Sequence, residues 1–85
     1  MNLKPITAKE LSVEQALFNS GWNILKRYGN ISNKENDEEW ERLIEEINSL
    51  YEFSKGRGKA VEQLSKSIAL GVCNYLEARA IEKGR

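Results

Sequence analysis

The sequence predicts an all-α fold, a small three-helix bundle with a short extra turn ahead of the first helix. Three stretches repeat large apolar residues at helical spacing, glycines and polar clusters separate them, and no run is long or β-branched enough to read as a strand. At 85 residues there is room for one domain, spanning 1–85, and neither an internal repeat nor a low-complexity tract breaks it.

The first helix is expected over about 13–28. Thr7 with Glu10 forms a capping box, with Ile6 and Leu11 placed as a hydrophobic staple, and Ser12 with Gln15 forms a second box. These signals favour a turn over Ala8 to Leu11 and a main helix from Val13, one continuous helix being the alternative. Val13, Leu17, Phe18, Ile24, Leu25 and Tyr28 are its apolar members, with Trp22 at the edge of the stripe. Gly29 is expected to end it in the left-handed conformation, and "GNISNKEN" reads as a polar connection.

The second helix is expected over 37–54. Asn36 and Asp37 suit its start, Glu39 completes a capping box with Asn36, and the early carboxylates complement the helix dipole. Trp40, Leu43, Ile44, Ile47, Leu50 and Tyr51 fall on one stripe that must be covered, while Glu38, Glu41, Glu45 and Glu52 fall largely on the other side.

The third helix is expected over 59–83, bounded by the glycines of "SKGRGK" and by Gly84. Val61, Leu64, Ile68, Val72, Tyr75 and Leu76 form its stripe. Ala69, Leu70, Gly71 and Cys73 extend small or apolar character almost around the circumference, so this helix either lies centrally or is covered by a second subunit. Gly71 costs about 1 kcal/mol of helix propensity relative to alanine, which close approach by another helix would explain.

A chain this short buries only about 60 to 65% of its unfolded surface, so reinforcement is expected. Cys73 is the only cysteine and histidine is absent, which rules out an internal disulfide and the usual zinc sites and leaves self-association, a homodimer, as the natural support. "MNLKPITAKE" lacks the apolar core of a secretory signal, and "SIALGVCNYL" is far shorter than the roughly 20 residues that cross a bilayer. A cytoplasmic protein without a membrane span is expected.

The formal charge of zero conceals a segregation. Residues 1–31 carry four basic and two acidic side chains, residues 32–53 two and eight, and residues 54–85 seven and three. Such blocks serve either pairing between neighbouring helices or presentation of one signed face to a partner.

Catalytic chemistry finds little support. The commonest general base is missing, and Cys73 stands in an apolar helix centre where its thiol pKa should rise. Glu38, Glu41 and Glu45 share a helical face, but bundle metal sites draw inward carboxylates from several helices, so neither a metal nor a cofactor is expected. "KGRGKA" lacks the spacing of a phosphate loop and reads first as a solvated connector. Its Lys55, Arg57 and Lys59 offer an anion contact beside a helix start, a modest basis for nucleic-acid binding. Conversely, the acidic face of Glu38, Glu41 and Glu45 could imitate a phosphate backbone and occupy a nucleic-acid-binding protein. Trp22 and Trp40 suit a core or a subunit interface, Trp22 more the interface.

The segments "GWNILKRYGNI", "EEWERLIEEINSLYE" and "IALGVCNYLEARAIEK" resemble a group of small helical proteins encoded in prophages and other mobile elements of Gram-positive bacteria. Trp40, Ile44, Tyr51, Leu76 and Glu77 are the matching positions, whereas the basic glycine-containing connector and the amino-terminal segment depart from the pattern. That group has no assigned activity, so the resemblance implies a genomic context and not a mechanism. The expectation from the sequence is a non-enzymatic helical protein acting through protein–protein contact, first with itself; a nucleic-acid-linked role is the alternative.

Overall fold

The computed structural model describes residues 3–31 and 37–83. Three helices make up the fold: α1 (Ser12–Tyr28), α2 (Asp37–Ser54) and α3 (Lys59–Lys83), with no strand among the described residues. Gly21 of α1 lies against Ile68 and Val72, and Gly29 meets Arg79, so α1 and α3 run parallel. Ser65 meets Leu50, and Arg27 and Tyr28 meet Glu46, so α2 runs antiparallel to both. The result is an up-down-up three-helix bundle.

The expected turn precedes α1. The Glu10 amide donates to Thr7 Oγ1 at 3.3 Å, and the Thr7 hydroxyl donates to the Glu10 carboxylate at 3.5 Å. The second capping box does not form, because the turn over residues 8–11 leads directly into α1 and Ser12 is already its first helical residue. Leu11 precedes the helix without a side-chain cap, and Gln15 Nε2 donates instead to Asn19 Oδ1 at 3.2 Å. The staple of Ile6 and Leu11 leaves both side chains exposed.

The end of α1 departs from expectation in two ways. Gly29 has φ −58° and ψ −24°, a right-handed conformation. Glycine is needed there for space, since a Cβ would lie 2.9 Å from the Leu25 carbonyl oxygen. The connection is also not wholly polar: the Ile31 amide donates to the Tyr28 carbonyl at 3.0 Å, turning the chain so that Ile31, only 2% exposed, enters the core. The caps expected of Asn36 and of the Asp37 side chain lie outside the described residues, as does Gly84.

The core joins Ile24 and Ile31 to Leu43, Val72 and Leu76, with Trp40, Ile47 and Ile68 packed partly against it. Gly21 lets α1 approach α3 closely, since a Cβ on it would stand 2.8 Å from Ile68 Cγ2. Two buried serines reinforce the α2–α3 corner: Ser54 donates to the Tyr51 carbonyl at 2.7 Å and Ser65 to the Leu50 carbonyl at 3.3 Å. Within the corner Gly56 (φ 82°) and Gly58 (φ 112°) occupy the left-handed region that side chains disfavour, which accounts for both glycines of "SKGRGK".

The helices cover their apolar stripes incompletely. Of the residues expected inside, Phe18, Ile44 and Tyr75 are 53%, 54% and 52% exposed. The radius of gyration is 15.1 Å, against about 12 Å for a compact chain of this length. The accessible surface is 6543 Å², against roughly 5,100 Å² for a compact monomer of this mass. Part of the surplus belongs to the exposed segment 3–11, and part to an open face shared by α1 and α3.

Candidate functional site

Helix α3 carries apolar or small side chains on both its inner and outer sides. Its inner side holds Ser65, Val72, Leu76 and Ala80, all buried; its outer side presents Leu70 at 63% exposure, while Gly71 and Tyr75 open on the flank toward α1. Helical spacing accounts for the division, since residues three and four apart return to the same face. A hollow lies on each flank. Between α1 and α3 it is lined by Phe18, Trp22, Leu25, Ile68, Gly71 and Tyr75. Between α2 and α3 it is lined by Ile47, Tyr51, Ala69, Leu70 and Cys73, with Asn48 and Lys66 at its edge.

Trp22 is 60% exposed on this face, with Lys26 Nζ 5.9 Å from the ring centroid. At the hollow between α2 and α3, the Tyr51 ring carries Lys66 Nζ at 5.8 Å. Trp40, by contrast, is half-buried against the core. The helix approach expected at Gly71 is not made within the chain, because a Cβ there would meet nothing within 4 Å. Gly21, which periodicity does not distinguish from any other small residue, makes that approach instead.

The acidic residues Glu38, Glu41 and Glu45 stand exposed on α2, with Glu38 paired to Arg42 at 3.7 Å. Glu46 turns the other way, accepting from the Arg27 guanidinium and, at 2.5 Å, from the Tyr28 hydroxyl. Part of the charge segregation therefore serves pairing between α1 and α2. No group of three or more cysteine, aspartate or glutamate side chains among the described residues is placed to hold a metal ion.

Lys55, Arg57 and Lys59 are exposed at the α2–α3 corner. Arg57 donates from Nε to the Phe53 carbonyl at 2.8 Å and stacks over the Phe53 ring at 4.5 Å. The Gly56 amide is taken by Glu62 Oε2 at 2.9 Å, so an internal carboxylate occupies a position where an external anion would bind. The acidic and basic candidates do not converge, since 17 residues of α2 separate Glu38 from Lys55 by about 25 Å.

Cys73 lies half-buried between the hollow that holds Ile47 and Leu70 and a second one between α2 and α3, lined by Trp40, Leu43, Ile44 and Glu77. Burial raises its thiol pKa, and the negative charge of Glu77 adds to the effect. A thiol held protonated is a poor nucleophile and behaves as a small packing residue. No helix among the described residues is long and apolar enough to cross a membrane. No protein-family model matches the chain, and no curated protein or solved structure matches it either.

Proposed function

We propose that this protein acts by binding another macromolecule, and first of all itself as a homodimer, without a catalytic step of its own. The observation that carries the reading is the exposed apolar outer side of α3 with the hollows beside it, where Leu70 on the α2 flank and Phe18, Trp22 and Tyr75 on the α1 flank are each more than half exposed. Large apolar residues clustered on one face of a small domain cost solubility unless a partner covers them. Aromatic side chains flanking shallow hollows suit such a partner, because they bury much area at little cost in rotamer entropy. On this reading the protein works in the reducing cytoplasm, where a single free thiol is stable, and in a mobile-element context.

Sedimentation velocity over a concentration series up to tens of micromolar tests it. A dimer whose population falls on dilution, and falls further in Leu70→Ala, is expected. A monomer at every concentration overturns the reading.

A second reading rests on the exposed acids of α2. Glu38, Glu41 and Glu45 project from one face at steps of three and four, spacing that lets an acidic helix compete for a basic nucleic-acid-binding surface. Direct nucleic-acid binding through Lys55, Arg57 and Lys59 would instead weaken steeply with added salt, so a salt titration with DNA and RNA separates the two.

A further inference from the structure

We infer that two copies of the chain pack α3 against α3 in antiparallel fashion, with the two-fold axis passing between Leu70 and Cys73 on the α2 flank of the helix. The inference rests on the self-association proposed above and specifies its geometry. Charge and shape each lead to it.

Lys66 and Glu77 are both exposed, and among the described residues neither has an ion-pair partner. Eleven residues of helix are almost a whole number of turns, so the two side chains leave α3 at nearly the same angle, about 16 Å apart along its axis. Both lie on the α2 side, Lys66 beside Tyr51 and Glu77 beside Trp40 and Ile44. A two-fold axis across the helix midway between them sets each Lys66 against Glu77 of the second copy, twice over. A parallel pairing would set lysine against lysine and glutamate against glutamate.

In shape, the same axis exchanges the levels of Leu70 and Cys73. Leu70, the most exposed large apolar residue of α3 at 63%, then enters the hollow between α2 and α3 of the second copy, where Ile47, Ala69 and Cys73 are open to receive it.

The formal charge of zero means that two copies meet without net repulsion.

Two measurements on the full chain test the geometry. In a Cys73→Ala background, Lys66→Cys and Glu77→Cys are prepared separately, their helical content checked by circular dichroism, and each oxidised alone and as an equal mixture. A mixed disulfide that forms in the mixture, with neither variant linking to itself, is the expected result. Self-linking of Lys66→Cys alone overturns the antiparallel arrangement in favour of a parallel one. No linking in any sample, while sedimentation still finds dimers, overturns this geometry but leaves self-association standing. Monomers by sedimentation overturn both. In the charge-exchange series, Lys66→Glu or Glu77→Lys alone should weaken dimerisation about fivefold to tenfold, and the double exchange should restore it to within about twofold. Single and double variants that weaken it equally also overturn the pairing.

Discussion

Arg79 of α3 donates from Nε to the carbonyl oxygen of Gly29 at 2.7 Å, joining positions fifty residues apart. That carbonyl stands at the carboxyl end of α1, where backbone acceptors lack helical partners and the dipole favours a cation. One guanidinium therefore caps α1 and holds it parallel to α3. Arg79→Ala should lower unfolding stability by about 1.5 to 3 kcal/mol, the range for a hydrogen bond to a charged group. Urea denaturation followed by circular dichroism checks this, and Arg79→Lys should recover only part of the loss because it does not reproduce the planar donor.

The two helix-interior glycines should respond in opposite directions. Gly21→Ala inserts a methyl 2.8 Å from Ile68 Cγ2 and should destabilise by about 1 to 3 kcal/mol despite alanine's better propensity. Gly71→Ala meets nothing and should stabilise the isolated chain by up to about 1 kcal/mol. Thermal melts at concentrations low enough to keep the chain monomeric compare the two. Equal shifts would mean that α1 and α3 do not approach each other at Gly21.

Ile31 offers a sharper test of the core. It lies outside every helix yet is 2% exposed, so Ile31→Ala should cost about 2 to 4 kcal/mol, as a core truncation does. Ile6→Ala, in the exposed amino-terminal segment, should change stability by no more than about 0.5 kcal/mol. Paired urea titrations of the two variants report the difference directly.

Cys73 should alkylate slowly. Because burial, and after it Glu77, raises the thiol pKa, the thiolate is scarcer near pH 8 in the folded protein than in the unfolded chain. Iodoacetamide labelling should therefore accelerate on unfolding, and the folded-state rate should keep rising at pH values where a free thiol has levelled off. The linked stability has a definite sign: the unfolded chain loses this proton first, so the contribution is intact below the unfolded pKa and is lost as pH rises through the folded one. Glu77→Gln should bring the labelling profile part of the way back.

Much of the candidate surface is legible in the amino-acid sequence. The small and apolar girth of α3 and the edge position of Trp22 both announce an uncovered face, and Leu70 and Trp22 are indeed exposed. The exposure of Phe18 and Tyr75 is not legible, because each fits its helix's apolar spacing as well as a buried neighbour does. The pairing of Arg27 and Tyr28 with Glu46 is hidden for a related reason: charge blocks indicate that α1 and α2 attract, but not which of several glutamates turns inward.

The sequence by itself determined three helices and their bounds, because apolar period, caps and glycine connectors act over a few residues at a time. It also determined which side of each helix is apolar. Only the tertiary structure decided how much of each apolar side is covered, since that depends on where neighbouring axes lie. Three narrow helices cannot enclose every stripe, so Leu43 is buried while Ile44, its neighbour on the same stripe, is left outside. The same dependence on neighbours decided that Gly21 and not Gly71 admits another helix within the chain, and that Ile31 leaves its connection for the core.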